Sequence, residues 1–259
     1  LRALILLVTI VSIACSWFTA RMRAASRQRA AVEAIEEAGG SVTYDYYHDK
    51  RATGKKGAQP PGPEWLRERL GVDFLATVVE VRLHRLGERE VVAKHLASMP
   101  RLRSLDLRGV ENVTDSDLAE IGSFRHLEQL WISSPEISDV LLAGIPRPDR
   151  MKVLDLADTQ ITDAGAEHLR SFSNLEELGL SGSQITDAAL ANLASMKELR
   201  VLRLEGTAVT DAGLEHLARL DNLEYVGLFD SQVTFEGILR FWRGRDTAGL
   251  AAEEQGRGN

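Results

Sequence analysis

Cysteine is almost absent from this sequence, since Cys15 is the only one among 259 residues. A single cysteine excludes a disulfide scaffold and a cysteine-based zinc cluster, because both need several thiols. Hydrophobic residues make up 44% of the chain and charged residues 27%, which argues against disorder over its whole length. The sequence therefore predicts a globular chain that buries a core without covalent cross-links.

Positive charge is scarce in the larger part of the chain. Residues 1–70 contain 11 Lys and Arg against 7 Asp and Glu, whereas residues 71–259 contain 20 against 31. The first part thus carries a formal charge of +4 and the second part −11. Proteins that bind nucleic acid use basic side chains to contact the phosphates. The acidic larger part therefore predicts that the protein does not bind nucleic acid.

The sequence also lacks the motifs of common catalytic sites. It contains no phosphate-binding G-x-x-x-x-G-K-[ST], no dinucleotide fingerprint, no G-x-S-x-G, no H-E-x-x-H and no kinase signature. Among the six histidines, His95, His168 and His216 each precede a leucine at one recurring position, and the other three show no metal-ligand spacing. We expect no enzyme activity, no cofactor, no metal ion and no small-molecule substrate.

The longest uncharged segment lies at the N-terminus. Residues 3–20 (ALILLVTIVSIACSWFTA) are 18 residues without a charge, close to the about 20 that cross a hydrocarbon core as a helix. Trp17 and Phe18 stand at its end, where aromatic side chains favour the membrane interface. This pattern favours an uncleaved single-pass anchor. A buried core helix, a cleaved signal sequence and a lipoprotein signal at Cys15 stay open as alternatives.

Basic residues are distributed unequally around this segment. Only Arg2 precedes it, and four arginines follow it: Arg21, Arg23, Arg27 and Arg29. The positive-inside rule then predicts that the C-terminal part lies in the cytoplasm. Because the sequence begins with Leu1 rather than Met, residues before it could reverse this orientation.

A juxtamembrane segment and an N-terminal cap are predicted over residues 21–77. We expect a helix over 21–38 that ends at Gly39 and Gly40, a strand over 41–48, a loop over 49–63, and a helix over 64–70 that ends at Gly71.

A repeat with a period of 24 or 25 residues dominates the sequence from Val78 onward. The pattern L-x-x-L-x-L recurs seven times, and its middle residue falls at Val81, Leu105, Leu130, Leu154, Leu178, Leu202 and Val226. In five repeats a Thr-Asp or Ser-Asp turn follows, as at Thr162 and Asp163, and a short apolar helix pattern comes next. One such unit cannot bury its own apolar face, whereas a stack can. Residues 78–243 therefore predict a solenoid, and residues 244–259 a flexible tail.

These repeats resemble the 24-residue Thr-Asp-type repeats of bacterial leucine-rich repeat proteins, and also the ribonuclease-inhibitor-like repeats attached to F-box proteins. The order of one apolar span, a short cap and then the repeats resembles membrane-anchored bacterial members of this family. The resemblance implies an α/β solenoid with a concave parallel sheet, convex short helices and an N-terminal transmembrane helix. No F-box pattern precedes the repeats, so a role in ubiquitin ligation is not implied.

Three repeats depart from the pattern. The first has residues 86–89 (LGER) where others have the Thr-Asp turn. In the third, Ile145 and Pro146 interrupt the helix, which must end early because proline cannot continue it. In the last, a bulky apolar cluster is expected to cover the open end of the core: Ile238, Leu239, Phe241 and Trp242.

The concave sheet is the expected binding surface, because residues that flank the buried leucines face away from the core. The candidate partner-binding residues are Trp131, Arg108, Arg203, Tyr225, Phe229, Asp106 and Asp155. Asp106 and Asp155 are expected at exposed middle positions with Trp131 between them, which disfavours a catalytic carboxylate pair. Tyr225 and Phe229 either contact a partner or cover the C-terminal end, and Trp131 either contacts a partner or shields neighbouring strand residues.

The sequence thus predicts a membrane-tethered module that binds a protein partner of unknown identity on its concave face. The alternative is a structural envelope protein, or a fragment of a larger protein, without a binding role of its own.

Overall fold

The computed structural model describes residues 2–47, 59–83 and 94–244. The helices are α1 (Arg2–Glu37), α2 (Glu64–Leu70), α3 (Val72–Leu75), α4 (Asp139–Gly144), α5 (Asp163–Ala166), α6 (Asp187–Leu193), α7 (Asp211–Leu217) and α8 (Phe235–Arg243). Short 3-10 helices span Leu96–Ser98, Ala119–Ser123, Pro148–Arg150 and His168–Ser171. The strands are β1 (Ser41–Tyr44), β2 (Val78–Arg82), β3 (Ser104–Asp106), β4 (Gln129–Trp131), β5 (Val153–Asp155), β6 (Glu177–Gly179), β7 (Val201–Arg203) and β8 (Tyr225–Gly227).

The eight strands form one sheet in chain order. Strands β2 to β8 are parallel, and the middle residues of the seven motifs pair with one another in a single row from Val81 to Val226. Every member of this row is fully buried except the last, Val226, which is partly buried. The predicted solenoid of seven strand motifs is therefore confirmed. Strand β1 is an addition at the N-terminal edge, where it pairs with β2 in antiparallel orientation.

Helices follow the strands because the Thr-Asp turn caps them. The side chains of Ser138, Thr162, Thr186, Thr210 and Thr234 each accept a hydrogen bond from a backbone N–H in the first turn of α4 to α8. The aspartate that begins each of α4 to α7 has a different role, since it accepts from the capping threonine of the next repeat. Asp187 accepts from the hydroxyl of Thr210 at 2.7 Å and from its backbone N–H at 2.8 Å. These bonds join successive repeats along the convex side.

The glycine of the Thr-Asp-Ala-Gly unit is explained by the same contact. A Cβ atom on Gly165 would collide with the Asp139 carboxylate, and one on Gly213 would collide with Asp187. Glycine at these positions lets the helix of one repeat approach the aspartate of the repeat before it.

The N-terminal cap is built around the second half of α1. This helix runs without interruption from Arg2 to Glu37 and ends, as predicted, at Gly39, whose φ of 91° favours glycine. Ala31, Val32 and Ile35 are buried in the same core cluster as the first repeats. The N-terminal cap therefore includes a helix that starts in the apolar segment.

The first half of α1 has no protein around most of its length. Residues 5–20 are exposed, and the apolar window within this helix is unburied. By length and composition this helix is able to cross a membrane, a test that a signal sequence also passes. The alternative of a buried core helix is wrong for this segment.

The strand predicted over residues 41–48 is present over Ser41–Tyr44 and wrong for residues 45–47. Residues 45–47 adopt a helical conformation, because the Asp45 carboxylate accepts hydrogen bonds from the backbone N–H groups of Tyr46 and Thr77 and bends the chain. His48, most of the predicted loop and the turn at 86–89 lie outside the described residues. The early helix end in the third repeat is confirmed, since α4 stops at Gly144.

Helix α8 covers part of the C-terminal end. Phe241 is buried in the core cluster, Trp242 packs against it, and the two ring centroids are 4.7 Å apart. Ile238 and Leu239 are partly buried. The expected apolar cap is therefore present, although Val226 beneath it keeps partial exposure.

Candidate binding face

The outward side chains of β2 to β8 form parallel rows on the concave sheet. One outward row contains the residue that directly follows the buried middle residue of each motif: Arg82, Asp106, Trp131, Asp155, Gly179, Arg203 and Gly227. The row before it is Glu80, Ser104, Gln129, Val153, Glu177, Val201 and Tyr225. The sheet brings five of the seven predicted site residues into these two rows. Arg108 and Phe229 follow their strands by two residues and lie at the edge of the same face.

Asp106, Arg108 and Trp131 form one cluster. The Arg108 guanidinium donates to both carboxylate oxygens of Asp106, at 3.0 and 2.7 Å, and its carbon lies 5.6 Å from the centre of the Trp131 ring. The hydrogen bond to Asp106 raises the pKa of Arg108. The expectation of an exposed Asp106 is wrong, since only 3% of the residue is exposed. Its neighbours on the sheet cover it, which sequence alternation does not encode.

Trp131 is partly exposed and has no place in the buried core. Its strand neighbours Leu130 and Ile132 are fully buried, so alternation along β4 turns the indole to the concave side as predicted. The cation–π contact with Arg108 holds the ring on one side. The cluster therefore offers an aromatic surface and a half-exposed guanidinium at the same point.

Asp155 lies on the other side of Trp131, as predicted, and is partly exposed. A Cβ atom on Gly179 would collide with its carboxylate, so this glycine leaves the space that the carboxylate occupies. Burial raises the pKa of Asp155, and the charges of Arg203 and Arg108 oppose that rise. Arg203 in turn forms an ion pair with Glu177, with 3.7 Å between its Nη1 and Glu177 Oε2. A partly desolvated carboxylate between two arginines is able to accept a further hydrogen bond from a donor group of a partner.

We expect Asp155→Asn to leave the melting temperature at neutral pH unchanged or higher. The raised pKa means that the folded state binds this proton more tightly than the unfolded state does. The stability associated with the proton is present at low pH and is lost as pH rises through the folded-state pKa. In thermal melts, the melting temperature of the variant relative to that of the wild type should therefore increase as pH rises from about 3 to about 7. A variant that melts well below the wild type at neutral pH would contradict the assignment.

The two C-terminal candidates differ in exposure. Phe229 is 69% exposed, whereas Tyr225 is partly buried. The interpretation that both cover the open end is therefore wrong for Phe229, because α8 and Phe241 occupy that role. Tyr225 on β8 and Phe229 directly after β8 both lie four strands away from Trp131, so they do not join its cluster.

Sequence reasoning missed two features of this face. Glu177 pairs with Arg203, and Glu80 pairs with Arg82 at the N-terminal end of the sheet. The register of neighbouring strands could have indicated the pair of Glu177 and Arg203. Strands β6 and β7 are adjacent, and Arg203 lies two positions beyond the residue that pairs with Glu177. Within residues 2–47, 59–83 and 94–244, no group of three or more His, Cys, Asp or Glu is arranged to hold a metal ion.

Comparison with known proteins agrees with this architecture. A family profile described as "Leucine Rich repeat" matches residues 151–169. An internalin from Listeria monocytogenes has a similar structure, with a TM-score of 0.50 and 19% identity over 66% of this chain and 47% of the internalin chain. This chain thus spans about half the length of that protein. No curated protein sequence matches it.

Two further solved structures share less. A TDR receptor gives a TM-score of 0.41 at 15% identity, over 62% of this chain and 27% of the receptor. The second actin-binding site of leiomodin-1 gives 0.39 at 16% identity, over 49% and 86%. Together, the repeat motif, the parallel sheet and the internalin likeness define this chain as a leucine-rich repeat protein with an α/β solenoid and an N-terminal helix.

Proposed function

We propose that this protein is a membrane-tethered interaction module whose concave face binds a protein partner at the cluster of Asp106, Arg108, Trp131 and Asp155. A partly exposed tryptophan at the middle of the sheet carries this proposal. Trp131 adds nothing to the core, and tryptophan and arginine are the residues that dominate interface energies. The leucine-rich repeat fold supports a role in protein interaction generally.

The charges around Trp131 favour a partner with mixed polarity. Asp106 is already paired with Arg108, whereas Asp155 keeps a partly desolvated carboxylate that lies between Arg108 and Arg203. A basic side chain of the partner would neutralise Asp155, and an apolar or aromatic side chain would cover the Trp131 ring. Tyr225, Phe229 and Arg203 would extend the contact toward the C-terminal end.

The exposed first half of α1 supports the tether. Residues 3–20 are long enough to span the bilayer, and the second half of the same helix belongs to the folded cap. We propose an uncleaved anchor, with the repeats in the cytoplasm because the arginines follow the span. After alkaline extraction, the full chain should stay with the membranes at its full mass. A shorter chain in the soluble fraction would indicate a cleaved signal sequence instead.

Trp131→Ala tests the binding face. We expect partner capture by the full chain, solubilised from its own membranes, to weaken roughly thirtyfold, which corresponds to about 2 kcal/mol. The melting temperature should stay near that of the wild type, because the indole lies outside the core. Quantitative mass spectrometry of the captured proteins measures the first effect, and thermal melts measure the second.

The matched control is Glu215→Ala, a change at an exposed residue of helix α7. It should leave capture of the same proteins intact. Equal capture by the wild type and by Trp131→Ala would favour the alternative of a structural protein without a binding role on this face. A large fall in melting temperature would show instead that the indole shields the sheet.

A further inference from the structure

Phe74 of α3, in the N-terminal cap, contacts helix α1 at the point where the apolar span ends. The Phe74 ring packs against Phe18 and Trp17, with centroids 5.5 and 6.4 Å apart. Arg21 donates from Nε to the Phe74 carbonyl at 2.9 Å, and its guanidinium lies 5.9 Å from the Phe74 ring. We call Trp17, Phe18, Arg21 and Phe74 the collar. Three collar residues come from the end of the span or the residue after it, and the fourth, Phe74, comes from α3 of the N-terminal cap.

A buried polar cluster fixes this contact about two helical turns beyond Arg21. Gln28 donates from Nε2 to the Asp73 carboxylate at 2.9 Å and accepts from the Val78 backbone N–H at 3.3 Å. The Tyr44 hydroxyl donates to the same carboxylate at 3.0 Å, and burial, together with the charge of Asp73, raises the pKa of Tyr44. Asp73 and Gln28 are both more than nine-tenths buried. These bonds join α1, β1, α3 and β2, so the helix that continues from the span is held directly against the first repeat.

We propose that the repeat domain rests directly on the bilayer surface, with the collar in the interfacial layer of a membrane that contains anionic lipid. This inference depends on the proposed membrane tether. The 18 uncharged residues before the arginines cover about 27 Å as a helix, close to the thickness of the hydrocarbon core. Trp17 and Phe18 then lie at the edge of that core, and Phe74 lies beside them.

The chemistry of the collar fits this position. Trp17 is 62% and Phe18 43% exposed, so both rings have surface left for lipid after they contact Phe74. Aromatic rings of this kind favour the headgroup region. Arg23 and Arg27 follow on exposed positions of α1, where they face outward and are able to contact anionic headgroups. Along the solenoid, Trp131 on β4 lies two strand spacings, about 10 Å, from β2, the first strand after the collar.

Lipid quenching in nanodiscs of phosphatidylcholine and phosphatidylglycerol tests this arrangement with the full chain. The native Cys15, the only cysteine, takes one fluorescent label within the span. In a Cys15→Ser background, Leu75→Cys places the label beside Phe74, and Phe229→Cys places it on the last repeat. With lipids that carry a quencher near the headgroup, we expect loss of fluorescence at Leu75→Cys and none at Phe229→Cys. The Cys15 label, quenched by lipids with a deeper quencher, reports the tether itself.

The outcomes separate the two proposals. Quenching at Cys15 without quenching at Leu75→Cys would overturn the resting position and leave the tether intact. No quenching at Cys15 would overturn the tether and this inference with it. Because labelled variants can misfold, a second measurement uses the unmodified chain with a phospholipid that carries a photoreactive headgroup. Adducts within residues 72–76 support the proposal, and adducts confined to residues before Arg21 contradict it.

Discussion

Leu178→Asp is expected to abolish cooperative folding of the repeat domain. Leu178 is fully buried on β6 and pairs with Leu154 and Leu202, which are also fully buried. The substitution removes a core side chain and places a charge where no partner is present among its paired neighbours. Since single domains are stable by only about 5–15 kcal/mol, a buried charge in the middle of the stack is enough to unfold it. Far-UV circular dichroism during a thermal scan measures the loss.

The size of the effect can be bounded with Leu178→Ala. This change should cost about 2–5 kcal/mol, the usual range for truncation of a buried leucine. Glu177→Ala is the matched control on the same strand, because its side chain is 42% exposed and its ion pair with Arg203 is long. We expect it to change stability by no more than about 1 kcal/mol. If Leu178→Asp melts with the wild type, the repeat register described above is wrong.

Removal of residues 1–37 is expected to prevent folding of the remaining chain, whereas removal of residues 1–20 is not. The longer deletion takes Val32 and Ile35 from the core, each worth about 1.5–3 kcal/mol when buried, and it removes the Gln28 hydrogen bonds to Asp73 and Val78. The shorter deletion removes exposed apolar residues and the Trp17 and Phe18 contacts with Phe74. Expression in the soluble fraction and a thermal melt of both truncated chains compare the two outcomes.

A point variant distinguishes the effect of lost core packing from the effect of removing a chain segment. Ile35→Asp in the chain without residues 1–20 retains α1 and places a charge in its buried face, where Ile35 is 1% exposed. It should behave like the longer deletion. Soluble, cooperatively melting protein after removal of residues 1–37 would mean that the repeats fold without this helix, and that their N-terminal end is covered in another way.

The repeat register could be predicted residue by residue because solenoids depend on local pattern. The leucine spacing encodes the strand direction and the buried row, since side chains alternate along a strand and each repeat contacts only its neighbours. The same alternation placed Trp131 on the concave side. It could not show that Asp106 is covered, because that burial comes from Arg108 and from residues on other strands.

The contacts of the N-terminal region could not be predicted from the sequence, because they do not follow a local pattern. Its contacts join residues far apart in the chain, such as Arg21 with Phe74 and Gln28 with Asp73, and no periodic pattern marks them. The predicted strand also extended too far, since β-branched and aromatic residues favour a strand while the Asp45 hydrogen bonds end it.

Sequence alone determined the class of fold, the seven strand motifs, the capping turns and the apolar N-terminal segment, because each rests on spacing between near neighbours. Tertiary structure decided which polar side chains are buried, that Asp187 and its equivalents join one repeat to the next, and that α1 is part of the repeat core. These features depend on desolvation and on contacts between distant segments. They exist only once the chain has brought those segments together.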